Sequence, residues 1–147
     1  MNLKFSLVPY GMLTKVLPTL GEYLEKSELW TKGRAAVDDI VAFLYSGQMQ
    51  LWAVYEEDNL TTHAYVISEI KQYPRAKVLV IQYIAGEKHV MAMVDEKVHD
   101  VLDHYARAAG CSIIEGFGRP GWGKHLEKFG YTVQTVLYEK YLEKRNE

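Results

Sequence analysis

Residues 76–116 constrain the fold more than any other part of the chain. "AKVLVIQYIAG" (Ala76 to Gly86) is an almost unbroken apolar run, the pattern of a strand buried on both faces. From Val90 to Ala109 the side chains of Val90, Val94, Val98, Val101, Leu102 and Tyr105 recur at helical spacing, and Gly110 stands where a helix C-cap belongs. "CSIIEGF" then reads as a short strand. A strand, a long helix and a second strand call for a right-handed crossover, with the helix packed on the sheet and the two strands parallel neighbours. The expected core is a mixed α/β layer structure.

The flanking segments extend that plan. "LKFSLV" (Leu3 to Val8) alternates apolar and polar residues and predicts a strand. Between Met12 and Leu29, Leu13, Val16, Leu17, Leu20 and Leu24 are helically spaced, while Pro18 and Gly21 predict two short pieces or a kink. "RAAVDDIVAFLYSG" places Val37, Ile40, Val41 and Leu44 on one face of a helix that ends at Gly47. "MQLWAVY" (Met49 to Tyr55) and "THAYVISEI" (Thr62 to Ile70) flank the polar turn "EEDNLT" as an antiparallel hairpin. Pro120 to Phe129 predicts a short helix capped by Gly130, and "TVQTVLYEKYL" a last strand. The order is β, α, α, β, β, β, α, β, α, β, within one domain over residues 1–147.

Composition narrows the function classes. The formal charge of −2 gives no global pull toward nucleic acid or an anionic membrane. No window reaches the ~18 consecutive apolar residues of a membrane span. "MNLKFSLVPYGML" lacks the apolar core and cleavage site of a leader, so a cytoplasmic location is expected. Cys111 is the single cysteine and reads as a small core residue rather than half of a disulfide. Of the histidines His63, His89, His99, His104 and His125, none sits in a metal-binding motif, and no metal site is expected. "KQYPRAK" mixes basic and aromatic residues but reads as a solvated turn.

The element order, with "LEKFGY" before the last strand, resembles the GNAT (Gcn5-related N-acetyltransferase) superfamily, which often carries a "YEKLGF"-like segment there. The combination of "YIAGE", a long helix, "AGC", "GRPGW" and a terminal strand looks like a subgroup of small GNAT-like proteins of bacteriophages and prophages. The resemblance implies a GNAT-like mixed central sheet, helices on both faces, and splayed fourth and fifth strands. It implies acetyl-CoA as cofactor and an N-acyltransferase acting on a small-molecule amine or a protein. The other reading is a non-catalytic GNAT fold serving as a virion or host-interaction protein, in the host cytoplasm or the virion. A homo-oligomer is compatible with a last strand at a sheet edge.

In the family a Q/R-x-x-G-x-G/A loop holds the cofactor pyrophosphate on successive backbone amides at a helix start. The matching stretch here is "AGEKHVMA", where only Gly86 of the glycines is present, and the cofactor-binding candidates are Gly86, Glu87, Lys88, His89 and Val90. Glu87 adds a negative charge beside the expected anion, which Lys88 and His89 could partly offset; Gly86 could equally just end a strand, and Glu87 suits a helix N-terminus. The family's general-acid tyrosine corresponds to Leu126, which has no transferable proton, so Tyr131 is the nearby alternative, unless it simply packs back on the helix. For a general base the candidates are Glu115, near the point where the two strands should part, and then Glu69.

"GRPGWGKHLEKFGY" (Gly118 to Tyr131) places Trp122, Leu126 and Phe129 on one helix face, which favours a core role for the tryptophan. Arg119, just before Pro120, is left to face the cleft, for an anion, a partner or an ion pair.

Overall fold

A computed structural model describes residues 2–27, 33–117 and 123–143. Its strands are β1 (Leu3–Leu7), β2 (Met49–Glu56), β3 (Thr62–Gln72), β4 (Lys77–Gly86) and β5 (Ile113–Gly116). Its helices are α1 (Leu13–Ser27), α2 (Val37–Ser46), α3 (Lys88–Ala108) and α4 (Gly123–Glu127). The chain divides into two compact units, Met1–Phe117 and Gly118–Glu147.

In the first unit the sheet order is β1-β2-β3-β4-β5. The first three pairings are antiparallel, and β4 and β5 are parallel, joined through α3. Strand alternation sends successive side chains to opposite faces and so builds two cores. On one face Val90, Val94, Val98 and Leu102 of α3 pack with Phe5, Trp52, Val54, Val66 and Leu79. On the other, Leu13, Leu20 and Leu24 of α1 and Ile40 and Leu44 of α2 pack with Leu51, Ala53, Tyr65 and Ile67. The mixed α/β fold with helices on both faces is therefore present.

Trp52 anchors the α3 face. It stacks on Phe5 at a centroid distance of 5.5 Å and meets Tyr105 edge-on at 4.9 Å. Its indole N–H donates to the fully buried Ser68 hydroxyl at 2.9 Å, which donates in turn to the Gln50 side-chain carbonyl at 2.9 Å. A polar chain inside an apolar core is stable when each donor finds an acceptor.

Helix ends follow the glycines. Beyond α3, Gly110 adopts φ +82°, and the amides of Gly110 and Cys111 return to the carbonyls of Arg107 and Ala106 at 3.0 and 2.8 Å. That is a Schellman closure. Lys77 Nζ adds a hydrogen bond to the Ala109 carbonyl at 2.6 Å. In the second unit Gly130, at φ +88°, closes α4 the same way, with Gly130 N–H to Glu127 and Tyr131 N–H to Leu126.

Four expectations need correction. α1 runs unbroken through Pro18 and Gly21. Pro18 cannot donate to the Thr14 carbonyl, but both residues lie on the exposed side, where water can serve that oxygen. β4 is buried on both faces only in its first half; Val78, Leu79 and Val80 are at most 2% exposed, whereas Ile84 is 48% exposed. The last predicted strand does not form: residues 131–141 have no regular structure. A β-branched pattern becomes a strand only where a neighbour supplies the ladder, and Val133, Val136, Leu137 and Tyr138 are instead exposed. Among the described residues the short helix covers Gly123–Glu127, and Phe129 falls in the closing turn rather than in the helix. Pro120, and with it the readings of Arg119 and Trp122, lies outside the described residues.

Candidate functional site

β4 and β5 part at a defined residue. In the β3–β4 ladder Ile67 pairs with Tyr83 but Ser68 with Ile81, so Gln82 is an extra residue, a bulge on β4. The last β4–β5 pair is Ile81 with Gly116. Beyond it β4 continues through residues 82–86 with β3 on one side and, among the described residues, no strand on the other. A bulge bends its strand and increases local twist, and it ends regular pairing. Among the described residues the edge of this half of β4 therefore has no strand partner for its backbone donors and acceptors, and it leads directly into α3.

The β4–α3 junction is tightly built. Gly86, at φ +143°, lies opposite Ala64, and a Cβ there would meet the Ala64 Cα and the His63 carbonyl at 2.5 Å. The approach of β3 demands this glycine. Glu87 is the N-cap of α3 in extended conformation, without a side-chain cap. Its N–H donates to the His63 carbonyl at 3.1 Å, and the Val90 N–H donates to the Glu87 carbonyl at 3.2 Å. Of the four amides from Glu87 to Val90, those of Lys88 and His89 are the helix-start donors left without an intrahelical acceptor.

His63 organises this corner. It is the extra residue of a second bulge, on β3, because Val54 pairs with Ala64 and Tyr55 with Thr62. Its imidazole reaches Glu87 through Nδ1 at 3.0 Å and Glu56 of β2 through Nε2 at 3.2 Å. Burial works against its charged form, but the hydrogen bonds and charges of Glu56 and Glu87 outweigh that and hold its pKa above the ordinary value.

A second polar group lies at the Gln82 bulge. Glu69 of β3 accepts from Gln82 Nε2 at 3.1 Å on one oxygen and from Gln48 Nε2 at 3.2 Å on the other. Both donors are neutral amides. The ladder aligns Glu69, Val80 and Glu115 in one row across β3, β4 and β5, so both carboxylates point to the α1–α2 face. Glu69 is half-buried and Glu115 exposed. Tyr83, on the same face of β4, has its phenol pushed up by burial and then by Glu69, against the pull of Arg34. It stays protonated at neutral pH.

Solved structures share this fold. Glucosamine-6-phosphate N-acetyltransferase from Arabidopsis thaliana superposes with a TM-score of 0.66 at 16% identity, over 97% of this chain and 100% of that one. The fold is that of the GNAT acetyltransferases. A Trypanosoma brucei acetyltransferase gives 0.66 at 13% identity over 96% and 100% of the two chains. An aminoglycoside acetyltransferase from an uncultured soil metagenomic sample gives 0.64 at 16% over 97% and 100%. No family model matches the chain, and no curated protein sequence matches it. At these identities the likeness is one of GNAT fold.

Within that fold Gly86, Glu87, Lys88, His89 and Val90 span the junction from the end of β4 into the first turn of α3. Val90 is wholly buried against the sheet, so only its backbone is available there. His89 is exposed, and among the described side chains His63 is hydrogen-bonded to Glu87. Glu115 lies on β5, one strand beyond the open half of β4. Tyr131 belongs to the second unit, half-buried after the α4 turn. The sequence reading passed over His63 and Tyr83 and ranked Glu69 below Glu115. Glu56 and Glu87 lie 7 and 24 residues from His63 in sequence, so only the sheet register could have revealed their meeting.

Proposed function

We propose that this chain is an acetyl-CoA-dependent N-acyltransferase acting on a small-molecule amine. The observation that carries the reading is the bulge at Gln82, which frees the end of β4 and aims it at an uncapped helix start. An extended ligand bearing amides can pair with residues 82–86 as a strand would. A diphosphate suits the amides of Lys88 and His89 at the positive end of α3. The residues present are compatible with acetyl-CoA on both counts, because the Glu87 carboxylate is drawn to His63.

When bound, acetyl-CoA supplies the acyl group as a thioester, and the transfer exchanges a C–S bond for a C–N bond. The chain's own task is proton handling and orientation. Glu69, fixed by two neutral amides, is complementary to an ammonium and can take its proton before attack. Glu115 is the second carboxylate on this face and the control for that role. Within the first unit the Tyr83 phenol, which the opened strand presents, can return a proton to the leaving sulfur. Gly86 holds β3 against the junction.

The test is acetyl-CoA-dependent release of free thiol with a panel of primary amines, on the full chain and on Glu69→Gln. Turnover that is lost in Glu69→Gln with acetyl-CoA binding intact supports the reading. Absence of turnover with every amine contradicts it.

A further inference from the structure

Glu87 puts a carboxylate at the start of α3, where the proposed function needs an anion to bind. A like charge there costs roughly 0.3–1 kcal/mol of the helix-end attraction. The structure contains its own answer. The β3 bulge turns the His63 imidazole toward both Glu87 and Glu56. The His63 carbonyl holds the Glu87 amide at 3.1 Å, so backbone and side chain of one residue fix both ends of Glu87. The side chain of His63 is only 16% exposed, which limits screening by water.

We infer that His63 is a positioning residue for the anion site: its imidazolium neutralises Glu87 and holds that carboxylate back from the Lys88 and His89 amides, so ligand affinity depends on the protonation of His63. This rests on the proposed acetyl-CoA reading. With His63 protonated, Glu56, His63 and Glu87 together carry one negative charge; with His63 neutral they carry two. Among the described side chains, the titratable groups paired with or acting on this corner include Glu56 from β2, Glu87 from the start of α3, and Tyr23 from α1, whose phenol burial first and then Glu87 and Glu22 push up. Tyr23 stays neutral in the relevant range, and of the Glu56, His63 and Glu87 group it is His63 whose charge changes as pH rises. The exposed His89, on the first turn of α3, is the same in the two proteins compared below, so it does not enter the difference between them.

The experiment has two readouts on the full-length protein and on Glu87→Gln, a variant that removes the charge and keeps the shape. The first is the NMR titration of the His63 ring without ligand. Its apparent pKa is expected to fall in Glu87→Gln; an unchanged value overturns the pairing. The second is calorimetry with acetyl-CoA at pH 6 and pH 8. Titration of the ligand's own phosphate, with a second pKa of about 6, is common to both proteins and cancels in the comparison. Affinity of the parent protein is expected to drop about two- to fivefold more than that of Glu87→Gln as pH rises, the fold-change that corresponds to one helix-end charge. Parallel pH dependence in the two proteins overturns the inference. If neither protein binds acetyl-CoA at either pH, the proposed function fails instead, and the ring titration still decides the pairing.

Discussion

Gly86 lies opposite Ala64 in the β3–β4 ladder, so close that a methyl group on Gly86 would meet the Ala64 Cα at 2.5 Å. Its φ of +143° is open to glycine and strained for any other residue. Gly86→Ala is therefore expected to destabilise the first unit by about 1–3 kcal/mol, the range for a residue forced into a sparsely allowed conformation. Urea unfolding measures this. A loss below about 0.5 kcal/mol, the scatter of neutral surface changes, would mean that β3 does not crowd the junction.

Ser68 is the acceptor for the buried Trp52 indole. Ser68→Ala removes that acceptor while leaving the volume almost unchanged, so the N–H is stranded in an apolar core. The expected cost is about 1–3 kcal/mol. Trp52→Phe also removes the stranded donor, so although it leaves part of the Trp52 volume unfilled, the double variant should lose less than the two single losses added. Additive losses in the double variant would contradict the account of this core.

The crossover from β4 through α3 to β5 was legible in the sequence because its period is unambiguous. The stripe from Val90 to Leu102 can only be helical, and the glycine at 110 marks its end. The bulges at Gln82 and His63 were not legible, since "VIQYI" and "TTHAY" contain no glycine or proline to betray an extra residue. The site depends on those bulges, so its chemistry stayed hidden while the fold was readable. The last segment failed for the opposite reason: Val133, Val136 and Leu137 have strand character, yet a strand needs a ladder partner as well as propensity. Pro18 failed because its rule concerns a lost hydrogen bond, and on the exposed side of α1 water takes up that loss.

Protonation of His63 also makes stability depend on pH. Its folded pKa is raised, so the unfolded value is the lower one, near about 6.5. The stabilisation is fully present below that value and is lost as pH rises through the folded pKa. The stability of the parent protein relative to Glu87→Gln should therefore shrink between pH 6 and pH 8.5. The change should be roughly 0.3–1 kcal/mol, the range for a pair near the surface. Chemical unfolding at the two pH values measures it, and a difference that grows with pH contradicts the pairing.

Glu69 and Glu115 share a row of the sheet but not a setting. Glu69→Gln should lower kcat by about 10²–10⁴-fold, the contribution of a positioned base, and leave acetyl-CoA affinity unchanged. Glu115→Gln, at an exposed position, should change kcat by far less. The reverse ranking would move the base to β5.

The central claim is that the opened half of β4 and the start of α3 bind acetyl-CoA. Isothermal titration of the full chain with acetyl-CoA at pH 6, where His63 offsets Glu87, tests it most directly. The account predicts saturable one-to-one binding in the micromolar range, weakened by Gly86→Ala. No heat of binding at millimolar acetyl-CoA would contradict it, and would leave a GNAT fold that serves as a non-catalytic partner-binding protein.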